Sequence, residues 1–183
     1  MQKFVNLPED ACPIIADHFS LLVIKKKENL LINGQVCRAN YFVEQGCLRL
    51  YFTNDQGVEQ TTQFAIENWW LSDYSSYATQ QPSTFGIQAV ENSRIMAISW
   101  QAQETLLKQL PILEKYFRLV YQKAYAAYQW RIKYIYDYSK EEMYHQFLKN
   151  YPEFVQRVPQ YLLASFLGFT PEYLSEIRKK SIS

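Results

Sequence analysis

Glu172, Tyr173, Ser175, Glu176, Arg178, Lys179 and Lys180 lie close together in the stretch YLLASFLGFTPEYLSEIRKK, near the end of the chain. On a helix these side chains share an outward side, with hydrogen-bonding groups at its amino end and cations at its carboxyl end. Glu172 can accept from a cytosine amino group, Ser175 is permissive, and Arg178, Lys179 and Lys180 neutralise phosphates. The chemistry on offer is therefore recognition of double-stranded DNA. Glu176 is the discordant member, because a carboxylate repels phosphates unless it takes a base donor or a neighbouring lysine.

Such a helix needs a second one to hold it. Ala164 stands four residues before Gly168, Leu174 follows six after the glycine, and Ile177 three later. A small residue lets two helices cross, glycine tolerates a left-handed turn, and the two apolar residues face inward. Leu163, Leu167 and Phe169 complete the interior. Thr170 is placed to cap the second helix, and Pro171 suits its first position. The spacing predicts a helix-turn-helix, the alternative being a helical hairpin that binds no nucleic acid.

Bulk composition makes any such patch local. The 183-residue chain is 48% hydrophobic and 20% charged with a formal net charge of +1, so it can bury a core but is no global trap for polyanions. The three cysteines, Cys12, Cys37 and Cys47, are odd in number and lack CxxC spacing. With only two histidines to supplement them, His18 and His145, they read as reduced thiols rather than metal ligands, and no metal or other cofactor is expected. MQKFVNLPEDACPII has no long apolar run, and no segment reaches the roughly twenty apolar residues of a membrane helix. A cytoplasmic protein without membrane contact is expected.

Periodicity divides the chain. Up to about Lys27 the pattern is helical, with Ile14, Ile15, His18, Phe19 and Leu22 on one face and the KKK run as a solvated boundary. From Leu30 to Ser99 the period is two. Leu48, Leu50 and Phe52 fall on one face and Arg49, Tyr51 and Thr53 on the other, while NDQG is turn chemistry with Gly57 at a positive φ. Several short strands between turns predict an antiparallel sandwich or roll.

A helix then runs from Pro111 to Tyr138, roughly 40 Å long at 1.5 Å per residue. Leu113, Phe117, Val120, Ala124, Tyr128, Ile132 and Ile135 recur every three to four residues along it. That length exceeds what a small roll can cover, so the helix is expected to seal a homodimer, with packing inside one subunit as the alternative. Ser139 and Glu142 have capping-box spacing for a further helix, which Pro152 stops.

Taken together, YFVEQGCLRLYF, GVEQTTQF, WWLSDYSSY, IQAVENSRIMAIS and RVPQYLLASFLGFTPEYLSEIRKK resemble the Crp/Fnr superfamily of bacterial transcription regulators. The likeness runs from about Phe19 to Lys180 and looks most like the short branch found in Bacteroidetes. It implies an α+β chain: a cyclic-nucleotide-binding-like antiparallel β-roll of jelly-roll type over residues 1–110, a dimerisation helix over 111–138, and a helix-turn-helix over 139–183. The dimer residues it implies are those of the long helix, Leu113, Phe117, Val120, Ala124, Tyr128 and Ile135. Those it implies for DNA are Thr170, Glu172, Tyr173, Ser175, Glu176, Arg178, Lys179 and Lys180. The sequence ends three residues after Lys180, which leaves no β-wing and predicts weaker or more salt-sensitive binding.

The resemblance also has a departure. Members that bind cyclic AMP carry Gly-Glu for the ribose and Arg-Ser for the phosphate. Here Ser72-Asp73 and the QQPST run stand in those places, and no Lys, Arg or His occurs between Arg49 and Arg94. A buried phosphate without a cation is costly, so cyclic AMP is not expected. An uncharged effector is the remaining option, in a pocket of Trp70, Asp73, Tyr74, Ser83 and Thr84, with Trp69, Tyr77 and Phe85 nearby. The bland alternative is that these aromatics are core and rim of the roll. No catalytic site is expected: metal-dependent oxygenases on such rolls need several strand histidines, and both histidines lie outside it. A dimeric sensor or scaffold without DNA binding is the other reading.

Overall fold

In the computed structural model, which describes residues 4–182, the expected helical start of the chain is cut short. Residues 1–3 and 183 of the expected roll and helix-turn-helix spans lie outside the described residues. Helix α1 (Ala11–Asp17) is followed directly by strand β1 (Ser20–Ile24). The helical reading through Lys27 is thus corrected: Leu22 and Ile24 point inward while Leu21 and Val23 are exposed, an alternation of period two. An apolar run this short fits either period, and antiparallel pairing of β1 along its whole length with the last strand decides for β.

The strands that follow are β2 (Asn29–Leu31), β3 (Ala39–Gln45), β4 (Leu48–Thr53), β5 (Glu59–Ala65) and β6 (Trp70–Leu71). Helix α2 (Tyr74–Thr79) then leads to β7 (Gly86–Ala89) and β8 (Ser93–Ser99). They form two antiparallel four-stranded sheets, ordered β1-β8-β3-β6 and β2-β7-β4-β5. Between them lies a core built on Leu31, Val43, Leu48, Leu50, Leu71, Tyr77, Ile87 and Ile95. The NDQG turn forms as its residues dictate: Asn54 Oδ1 accepts from the amides of Gln56 and Val58, and Gly57 takes φ 79°.

Arg49 departs from the simple alternation. It sits on the outer side of its strand, yet only 3% of it is exposed. Its guanidinium stacks 4.2 Å from the Tyr51 ring centroid and donates to Gln88, Thr61 and Glu59, so every face of the cation is occupied.

Helix α3 (Trp100–Gln109), which the periodicity of the roll does not announce, is started by Ser99, whose hydroxyl accepts from the Ala102 amide at 3.1 Å. Helix α4 (Ile112–Asp137) is the long helix. With α1 and α3 it covers one outer face of the roll through Trp70, Ile98, Leu106, Leu110, Leu113, Tyr116 and Phe117. Then come α5 (Lys140–Asn150), α6 (Pro152–Arg157), α7 (Gln160–Leu167) and α8 (Pro171–Ile182). The Ser139–Glu142 capping box closes in both directions, and Pro152 serves twice, ending α5 and opening α6.

A smaller apolar cluster joins the roll to the last helices: Cys47, Phe64 and Val90 meet Val158 and Leu162. Burial pushes the Cys47 thiol up to about 12, so it stays neutral and acts as a packing group there.

The turn from β3 to β4 depends on Gly46, at φ 109°, where a Cβ would collide with the Ser93 side chain. Gly46→Ala is expected to destabilise the protein by about 2 kcal/mol or more in chemical denaturation. A midpoint equal to that of the wild type would show that the turn relaxes freely.

Candidate functional site

The helix-turn-helix corner is assembled from α7 and α8. Helix α7 ends in Gly168 at φ 76°, and the Phe169 amide returns to the Ala164 carbonyl at 2.9 Å, a left-handed close of the kind glycine permits. Ala164, Leu163, Leu174 and Ile177 are buried beside Tyr144, Val155, Leu167 and Phe169. The methyl of Ala164 keeps the two helices close enough for Leu174 to reach the interior. Thr170 Oγ1 accepts from the Tyr173 amide at 3.2 Å and so caps α8, with Pro171 as its first residue.

The side of α8 turned away from this core carries Glu172, Tyr173, Glu176, Lys179 and Lys180, all exposed, with Ser175 and Arg178 half-buried at its margins. Tyr173 is braced: its ring meets Phe169 edge to face at 5.7 Å, and Lys140 Nζ lies 5.7 Å from its centroid. Lys140, at the start of α5, thereby joins the amino end of this face, far away in sequence and invisible to local spacing. Cations stand at both ends of the surface, with Glu172 and Glu176 between them.

The residues expected to line a pocket in the roll are drawn into different contacts. Asp73 and Ser83 do meet, the serine hydroxyl donating to Oδ2 at 2.5 Å. Asp73 Oδ1 accepts from the amides of Ser75 and Ser76 and caps α2, while Ser83 Oγ accepts from the Phe85 amide. Both side chains are thus engaged in the local frame. Trp70 points the other way, out of the roll and into the cluster under α4, and its indole donates to the Tyr116 hydroxyl at 2.8 Å. Tyr74 packs edge-on against Tyr121 of α4 at 5.2 Å, and burial raises its hydroxyl pKa, so this is a contact between neutral phenols. Thr84 is exposed. A two-residue strand such as β6 gives too little alternation for the sequence to tell which way Trp70 faces. Open space lies elsewhere: about 490 Å³ at one end of the roll, lined by Leu30, Leu31, Gln35, Val36, Arg38 and Tyr41.

The long helix also presents a different face from the expected one. Leu113 and Phe117 are buried under the roll of their own chain with Val120 packed beside them, and Ala124 is half-buried. Of the six residues expected at a dimer seam, Tyr128 and Ile135 are the exposed ones. The outward apolar stripe runs instead through Tyr125, Tyr128, Ile132 and Ile135, in steps of three, four and three, with Tyr125 67%, Ile132 53% and Ile135 56% exposed. An open groove of about 520 Å³ between α3 and α4, walled by Leu107, Phe117, Tyr121 and Tyr125, continues that stripe. Apolar residues occupy more than one side of this helix, so period alone could not say which side meets the roll.

Among the described residues there is no group of three His, Cys, Asp or Glu able to hold a metal ion, and no helix long and apolar enough to cross a membrane.

Comparison with known proteins places this geometry. Residues 21–110 match the cyclic nucleotide-binding domain family. No curated protein sequence matches the chain. Among solved structures, the c-di-GMP-responsive global regulator CLP of Xanthomonas campestris superposes with a TM-score of 0.74 at 12% identity, over 94% of this chain and 91% of that one. FixK2 from Bradyrhizobium japonicum gives 0.73 at 13% identity, over 88% and 83% of the two chains. An Eubacterium rectale protein assigned to the Crp/Fnr family of transcriptional regulators gives 0.70 at 17%, over 95% and 83%. Roll, long helix and helix-turn-helix thus share the fold of these three structures.

Proposed function

We propose that the protein is a homodimeric, DNA-binding transcription regulator in which α8 reads the major groove. The observation that carries this reading is the corner itself. Ala164, Gly168, Leu174 and Ile177 hold α8 against α7, while Tyr173, Glu176, Lys179 and Lys180 remain at the surface of the folded chain. The amino-terminal side chains of α8 would meet base edges, and Arg178, Lys179 and Lys180 would meet phosphates. The Crp/Fnr architecture agrees with this assignment.

Dimerisation is supported by the α4 stripe. Tyr125, Tyr128, Ile132 and Ile135 have the heptad spacing of a coiled-coil seam, and an aromatic and aliphatic surface of that length is rarely left in water. Pairing along it would place two copies of α8 for a two-fold symmetric site.

A cyclic nucleotide is not part of the proposal. The Asp73 carboxylate, at the ribose-binding position of the family, is already taken by α2 and Ser83. The sequence has no cation between Arg49 and Arg94, and Arg49 itself is held by Glu59, Gln88 and Tyr51.

Three outcomes are expected. The double substitution Lys179→Ala/Lys180→Ala weakens binding to a mixed-sequence duplex and flattens the dependence of log affinity on log salt by about one for each lysine that meets a phosphate. An unchanged slope in fluorescence anisotropy would mean these lysines do not meet DNA. Tyr125→Glu/Ile132→Glu converts dimer to monomer in sedimentation, and a persisting dimer would move the seam elsewhere. Cyclic AMP at micromolar concentration leaves the melting temperature unchanged, and a clear rise would show that the roll accepts an anionic effector after all.

A further inference from the structure

Three polar residues tie the C-terminal helices to the rest of the chain. Arg157, the last residue of α6, reaches two separate turns of the roll. Its guanidinium donates to Glu67 at 2.8 and 2.6 Å and to Glu91 at 2.8 Å, and Glu67 is itself fixed by the Gly46 amide at 2.8 Å. Arg131 of α4 donates to the carbonyls of Thr62 on β5 and Phe166 on α7, with its guanidinium 4.1 Å from the Phe166 ring centroid. Ser165 of α7 accepts from the Thr61 amide at 2.8 Å and donates to the Glu59 carbonyl at 3.0 Å, occupying the free edge of β5. Between these polar points, Phe64 packs against Phe154 and Phe166 at 5.1 and 5.3 Å. None of these contacts uses the outward face of α8.

We infer that Arg157, Arg131 and Ser165 form an intrachain clasp that fixes the helix-turn-helix on its own roll and on α4, so that its reading face is set for DNA without an effector. Three elements that could otherwise swing apart at Tyr138-Ser139 are tied at separate points, two of them by charge-assisted hydrogen bonds from arginine and the third by a serine that both accepts and donates. The Arg157 guanidinium holds the Glu67 carboxyl well down, to about 2, so the pair stays intact throughout the neutral range. With both copies clasped, the separation of the two α8 helices is dictated by the α4 seam. The consequence for DNA rests on the function proposed above, whereas the clasp itself does not.

The test is Arg157→Gln in the full chain, read in two ways. Hydrogen exchange is expected to accelerate at the amides of α6 and α7 and at Thr61, while the amides of β3 and β8 keep wild-type protection. Affinity for a palindromic duplex selected from a random library is expected to fall about tenfold, with half-site affinity unchanged, because each unclasped unit must be ordered on binding. Unchanged exchange would overturn the clasp. Tighter binding to the palindrome would also overturn the inference, because the clasp would then be a brake. Should Arg157→Gln fail to fold, Ser165→Ala takes its place with the same readouts, accelerated exchange at Thr61 supporting the clasp and unaltered exchange opposing it. A wild-type protein that binds no duplex, yet shows the exchange change, would end the regulator reading and leave the clasp standing.

Discussion

Strand β5 lies at the edge of its sheet, and an edge strand has backbone groups that need partners. The chain supplies them from its own last third. Ser165 satisfies both the Thr61 amide and the Glu59 carbonyl, and Arg131 takes the Thr62 carbonyl. What would otherwise be a site for pairing with another molecule becomes the seat of the C-terminal helices. The pose of α8, the direction of its polar face and its relation to α4 all follow from that seat.

Charge is handled in the same self-contained manner. The net charge is +1, and several arginines are committed to carboxylates of the same chain: Arg49 to Glu59, Arg94 to Glu44 at the surface, and Arg157 to Glu67 and Glu91. The positive surface at the end of α8 therefore stands out by position rather than by quantity. In the roll the same internal pairing has the opposite effect. The cap of α2 and the hydroxyl of Ser83 occupy Asp73, which leaves its carboxylate committed to the local frame.

How much of the structure is legible in the sequence depends on how local the cause is. The corner is legible because alanine, glycine, leucine and isoleucine at fixed spacing act through contacts a few residues apart. The Ser139–Glu142 box and the NDQG turn are local for the same reason. The run after Asp17 fits a helix or a strand equally well, and only pairing with β8, far along the chain, decides. The side of α4 that meets the roll is hidden, since Leu113 and Phe117 share their spacing with Tyr125 and Ile132. Trp70 and Tyr74 are close enough in sequence to suggest one pocket, but each packs against α4 instead. Arg131 and Arg157 give no signal at all. An arginine on a helix reads as solvated until the partner carbonyls and carboxylates arrive from the fold.

The proposed function requires two copies of α8 held a fixed distance apart by one dimer, and selection from a random duplex library measures that separation most directly. Enrichment of a near-palindrome whose half-sites are centred about one helical turn apart, roughly 10 base pairs, is the predicted result. Recovery of no motif at low salt, or of a single unrepeated half-site, would contradict it.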